Sequence, residues 1–145
     1  GKYIGSVSGM RNNMRHLIIK NDHFYLSINR GGYIQKTNID SFVTHLENDL
    51  SKDYNNWEEV FVGYGARTIE VDPTGRYLFV AVSNESEIVI VRTEDMKIIA
   101  TCPVDSFPVG LDVSADGKYV IVTSQGKAGK GGGNSVMIFE IKYKK

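Results

Sequence analysis

With 145 residues, 41% of them hydrophobic, the chain has the size and apolar content of one globular domain with a substantial core. Its 17 basic and 17 acidic side chains balance to a formal charge of zero, so no global field draws it to nucleic acid or anionic lipid. No apolar run approaches the roughly 20 residues that span a bilayer, and a single cysteine, Cys102, excludes an internal disulfide.

In chain order, residues 1–7 read as a strand whose pattern matches residues 96–102 further on, the outer strand of a four-stranded unit. Residues 17–19, 24–28 and 33–37 read as three more strands, with turns at Asn21-Asp22 and Arg30-Gly31-Gly32. Residues 41–51 then break the strand pattern. Val43, Leu46 and Leu50 recur at helical spacing, which predicts a short helix capped by Asp40 or Ser41. A polar turn over 52–56 leads to a strand at 57–62, and Gly63-Tyr64-Gly65 leads on to the next unit. Strands are expected at 68–71, 77–82, 87–91 and 98–104, then at 110–113, 119–123 and 136–141, the last after a glycine-rich loop over 126–133. Cys102 falls in an apolar strand, where a buried and inert thiol is expected.

One stretch is stated twice. Residues 66–82 return as residues 108–124 with an offset of 42: Ile69 on Leu111, Val71 on Val113, Gly75 on Gly117, Tyr77 on Tyr119. In each copy a short strand meets a turn, Asp72-Pro73-Thr74-Gly75 or Ser114-Ala115-Asp116-Gly117, and a long apolar strand follows. Strands apolar on both sides must be covered on both faces. No helical pattern lies between them, so other sheets must be the cover. Four short strands per repeat of about 40–45 residues describe a β-propeller blade. The chain is therefore expected to be all-β and to form about three blades, with one helical insertion near 41–51. The expected units are an outer strand at 1–7, blade one over 14–65, blade two over 66–107, and blade three over 108–141 without its outer strand.

These residues also carry a family resemblance. Asp or Ser, two residues, Gly-Arg or Gly-Lys, Tyr, an apolar strand, and then Met96-Lys97-Ile98-Ile99-Ala100-Thr101 ahead of a Pro resemble the YVTN-repeat β-propellers. Ile121-Val122-Thr123-Ser124 is close to the tetrad that gives the repeat its name. The resemblance is close over 66–141 and loose over 1–65. The family contains surface-layer-type and lactonase-like proteins of bacteria and archaea, usually with about seven blades. It implies a partial propeller, a periplasmic or cell-surface setting, and either a binding platform or a lactone hydrolase. The chain starts on Gly1 rather than Met, which is read as a boundary with room for an upstream signal segment.

Few residues point to chemistry. The 126–133 stretch fails the phosphate-loop spacing, because Ser124 holds the first Gly position and Gly131 the Ser/Thr position. A strand rather than a helix follows it, so it reads as a hairpin loop whose lysines can touch an anionic partner. His16, His23 and His45 fit no metal spacing, and no Gly-x-Ser-x-Gly elbow occurs. Asp72 and Asp116 are turn residues by type. No catalytic residue, metal site or cofactor is expected. The constellation that stands out is Arg15 and Arg67, each just ahead of a blade's first strand, with His16 beside the first; Val109 breaks the series in blade three. First strands line a propeller's channel, so the two guanidinium groups are expected at its rim, suited to a carboxylate or phosphate.

The reading favoured is a non-catalytic platform binding a protein, glycan or small anion at the axial face. A lactonase-like hydrolase acting on a sugar lactone is the alternative. The expected partner is a second copy of the chain, since three blades cannot comfortably close a ring. In that homodimer residues 1–7 of one copy complete blade three of the other.

Overall fold

The turns set the blades. In the first copy of the repeat, Asp72 Oδ1 accepts the Tyr77 N–H at 2.9 Å, and the Gly75 N–H reaches the Asp72 carbonyl at 2.9 Å with Gly75 at φ 78°. In the second copy, Ser114 Oγ accepts the Tyr119 N–H at 2.9 Å and Gly117 stands at φ 72°. Glycine is used where the left-handed region must be entered without a Cβ clash.

The computed structural model describes residues 1–48, 53–127 and 129–144. They form three antiparallel meanders, each a β-propeller blade. Blade one holds β1 (Met14–Lys20), β2 (His23–Ile28), β3 (Tyr33–Asn38) and β4 (Glu58–Phe61), with α1 (Ile39–Asn48) inserted before its last strand. Blade two holds β5 (Ala66–Val71), β6 (Tyr77–Val82), β7 (Glu87–Arg92) and β8 (Lys97–Pro103). Blade three holds β9 (Pro108–Val113), β10 (Tyr119–Ser124) and β11 (Ser135–Glu140). The first strands β1, β5 and β9 stand side by side at the inner edge.

The core lies between blades, because β6 is apolar on both faces. Leu78, Val80 and Val82 bury against Tyr25 and Ile34 of blade one, while Phe79 and Ala81 bury against Leu111, Val120 and Val122 of blade three. Side chains tie the same seams. Ser27 Oγ donates to the Arg67 carbonyl, and in the next seam Thr68 Oγ1 donates to the Val109 carbonyl at 2.7 Å.

Residues 1–7 pair with no strand within this chain; the edge expected to receive them is that of β11 in another copy. One expectation needs correction. The helix begins at Ile39, ahead of the expected 41, and neither Asp40 nor Ser41 caps it. Asn38 does so: its Oδ1 accepts the Ser41 N–H at 3.0 Å, closing one of the free donors of the first turn. The expected helical residue Leu50 lies outside the described residues. The outer face of blade one is partly covered. Phe42 of α1 packs edge-on to Phe24 with centroids 5.2 Å apart, Tyr54 and Trp57 join them, and Leu26 and Ile28 are buried beneath. Parts of the face stay open, with Leu17 at 50% and Ile19 at 64% exposure on the inner strand and Phe61 at 45% on the outer one.

Candidate functional site at the mouth of the channel

Each inner strand carries one extra residue near its start. Met14 and His16 pair with the consecutive residues Ile28 and Ser27, leaving Arg15 as the bulged residue of β1. In β5, Ala66 pairs with Val82 and Ile69 with Val80, so Arg67 and Thr68 together face Ala81. In β9, Pro108 and Gly110 pair with Ser124 and Thr123, leaving Val109. A bulge turns its side chain out of the alternating pattern, and bulges recur beside functional sites for that reason. The repeat thus presents Arg15, Arg67 and Val109 from equivalent places at one end of the channel.

The two arginines are electrostatic neighbours. Arg67 is half-buried, and its guanidinium is held below the usual arginine range, first by burial and then by the positive charge of Arg15. Among the described residues neither guanidinium has a carboxylate or carbonyl partner. The contrast is Arg11, whose Nε and Nη2 both donate to Glu59 Oε2 at 2.9 and 2.8 Å, and Arg92, which Asp95 holds bidentately at 2.6 and 2.9 Å. What Arg67 does meet is an aromatic face, the Phe107 ring, 5.6 Å from its guanidinium carbon.

His16 is placed differently from the arginines. Its Nδ1 accepts the Ile69 N–H at 3.2 Å, and its own N–H donates to Ser27 Oγ at 3.1 Å. The ring therefore sits in the seam between β1 and β5, the place Thr68 takes in the next seam.

The glycine-rich loop joins β10 to β11 at the same end as the arginines. It is tied to the neighbouring turn: the Gly126 N–H donates to the Ser106 carbonyl at 2.9 Å, Ser106 Oγ to the Gly132 carbonyl at 2.8 Å, and Ser135 Oγ to Asp105 Oδ2 at 2.5 Å. Lys127 and Lys130 are exposed on the loop. Among the described residues no three His, Cys, Asp or Glu side chains converge as metal ligands. Cys102 is half-buried on the outer strand β8, and burial pushes its thiol up, away from the reactive thiolate. It lines an apolar cleft of about 510 Å³ between blades two and three, floored by Phe79, Ile88 and Phe139 and open beside the free edge of β11.

Sequence reading singles out the arginines and passes over Phe107. The signal was present: at the offset of 42, Phe107 falls on Gly65, a bulky residue where the other copy has none.

No protein-family model matches the chain, and no curated protein matches it. Solved structures do. Hydrazine synthase of Kuenenia stuttgartiensis aligns with a TM-score of 0.72 at 18% identity, over 97% of this chain and 36% of its own. A 6-phosphogluconolactonase-like protein of Bacteroides fragilis aligns at 0.64 and 18% identity, covering 89% of this chain and 35% of that one. A similar protein of Bacteroides uniformis aligns at 0.66 and 16% identity, covering 95% and 41%. Such identities establish the fold, a β-propeller, and nothing finer. The chain spans 35–41% of the length of these three structures.

Proposed function

We propose that the chain is a non-catalytic propeller platform of the YVTN-repeat kind, which takes a small anion on Arg15 and Arg67 at the channel mouth. One observation carries this reading. Two neighbouring arginines, one of them half-buried, are aimed by equivalent bulges and, among the described residues, left without a protein acceptor. Placing like charges side by side costs free energy, and an anion with two or more oxygens removes that cost while filling the planar forks. A glycan or protein ligand would not need the paired charge. His16 is left out of the site, since its ring is engaged in the seam.

A lactonase-like activity is the second reading, favoured by the likeness to two 6-phosphogluconolactonase-like structures. The arginine pair would suit a substrate bearing a phosphate. Lactone opening also needs an acid or base at the reacting carbonyl, a role not assigned to any residue of the arginine pair. A periplasmic or cell-surface setting in a bacterium belongs to the same resemblance, and no helix among the described residues is long and apolar enough to cross a membrane.

The experiment is calorimetric titration with inorganic phosphate and acetate, on the wild type and on the Arg15→Gln, Arg67→Gln double variant. Binding should be lost in the variant while the melting temperature stays close to that of the wild type, because surface substitutions usually change stability by no more than about 0.5 kcal/mol. Equal loss of stability and binding would assign the arginines a structural part instead. A panel of lactones, with and without a chelator, decides the second reading: turnover abolished by the same double variant would replace the platform with an enzyme.

A further inference from the structure

The residue ahead of each inner strand has one backbone task. Its carbonyl accepts the first N–H beyond the second strand of its blade: Asn29 N–H to Asn13 at 3.0 Å, Ser83 N–H to Gly65 at 2.9 Å, Gln125 N–H to Phe107 at 3.0 Å. To aim that carbonyl all three adopt the left-handed region, with φ of 70° at Asn13, 89° at Gly65 and 57° at Phe107. Asparagine and glycine are the residues that tolerate this conformation; a phenylalanine there is strained. Blade three nevertheless holds Phe107, and the ring packs into neither of the inter-blade cores. It lies half-buried at the mouth, beside the Arg67 guanidinium. Strain kept where a cheaper residue does the same backbone work points to use of the side chain.

We infer that Phe107 is the stacking wall of the channel mouth, so that the anion taken by Arg15 and Arg67 is one carried on a flat, unsaturated ring. This rests on the anion reading above. The arginines hold the charged oxygens, and the ring of the ligand lies against the Phe107 face that the Arg67 guanidinium leaves uncovered. Aromatic faces in contact add to affinity independently of the charge. Val109, the third bulged position, supports the same picture, because it leaves an apolar surface where a third arginine would have demanded more charge.

The test compares phenyl phosphate with inorganic phosphate by calorimetry on the full chain. The wild type should bind phenyl phosphate about tenfold more tightly, the margin that one stacked ring contributes. Phe107→Asn, the solution blade one uses, should erase that margin, leave inorganic phosphate binding intact and not lower the melting temperature. Phe107→Leu keeps an apolar side chain without the flat face and should also lose the margin, which covers the case of a poorly folded Asn variant. Equal affinities in the wild type, or a margin that survives both substitutions, overturn the wall and leave the arginine site standing. Failure of the wild type to bind either anion, or binding untouched by Arg15→Gln with Arg67→Gln, overturns the anion reading and the wall with it.

Discussion

Asp72 is fully buried, and its carboxylate serves its own turn and one distant residue. Its carboxylate accepts from the Tyr77 N–H at 2.9 Å, the Thr74 hydroxyl at 2.6 Å and the Tyr143 hydroxyl at 3.0 Å. The turn partners were legible in the sequence, since Asp ahead of a Pro-x-Gly run is turn chemistry. Tyr143 was not, because it lies 71 residues away and only packing blade three on blade two brings it there. Burial, then the hydrogen bond and charge of Asp72, push the Tyr143 phenol from its ordinary 10.0 up to about 12. A phenol whose folded pKa exceeds its unfolded value supports the fold while protonated. That support is complete below pH 10 and is lost as the pH rises towards about 12. Tyr143→Phe should therefore show a shallower fall in melting temperature than the wild type between pH 10 and 12. Identical alkaline slopes would remove Tyr143 from the ledger of titrating groups.

The elements that sequence reading recovered are those with strong periodicity. The long strands β6, β7 and β10 stand where their apolar runs predicted, and α1 covers Val43 and Leu46, two of the residues whose helical spacing predicted it. The details it missed depend on single residues. A bulge adds one residue to a strand and leaves no trace in an apolar pattern, so Arg15 and Arg67 could be matched by position without a reason for where they point. The helix cap was placed on Asp40 or Ser41 because both types cap well, yet Asn38 ends β3 at the point where its amide oxygen meets the Ser41 N–H. Asn38→Ala should cost about 1 kcal/mol of stability. Because α1 carries Phe42 onto Phe24 and Trp57, the near-ultraviolet tryptophan signal should weaken with it. Ser41→Ala is the control. An equal loss in the control would return the cap to the residue first expected.

At the scale of the whole molecule the repeat says what each face of a blade is for. Tyr119 and Ile121 of β10, with Val136 and Ile138 of β11, are the counterparts of Tyr77, Phe79, Ile88 and Ile90 in blade two. In blade two those residues pack on blade three. In blade three they stand open, at 45, 39, 65 and 64% exposure, so the face is built for contact and lacks it within this chain. A ring of six blades from two copies would set this face against blade one, but the aromatic roof of Phe42, Tyr54 and Trp57 already occupies the outer part of that surface. Strand exchange asks for less. The outer edge of β11 has unpaired backbone groups, and the cleft of about 510 Å³ beside it is lined by Ile99, Phe139 and Ile141. Residues 1–7 have no partner strand here, and Tyr3 and Ile4 are 78% and 51% exposed. Added antiparallel to β11 of a second copy, this segment would complete the four-stranded blade and lay Tyr3 or Ile4 into the cleft. Exchange in both directions gives a closed two-fold dimer, the commonest oligomer. Light scattering at micromolar concentration should report a dimer, and deletion of residues 1–7 should return a monomer or an aggregate. Ile138→Lys, which charges the open face without touching the exchanged segment, should leave the dimer intact if the edge rather than the face holds it. A monodisperse monomer of the unaltered chain at that concentration would end the proposal.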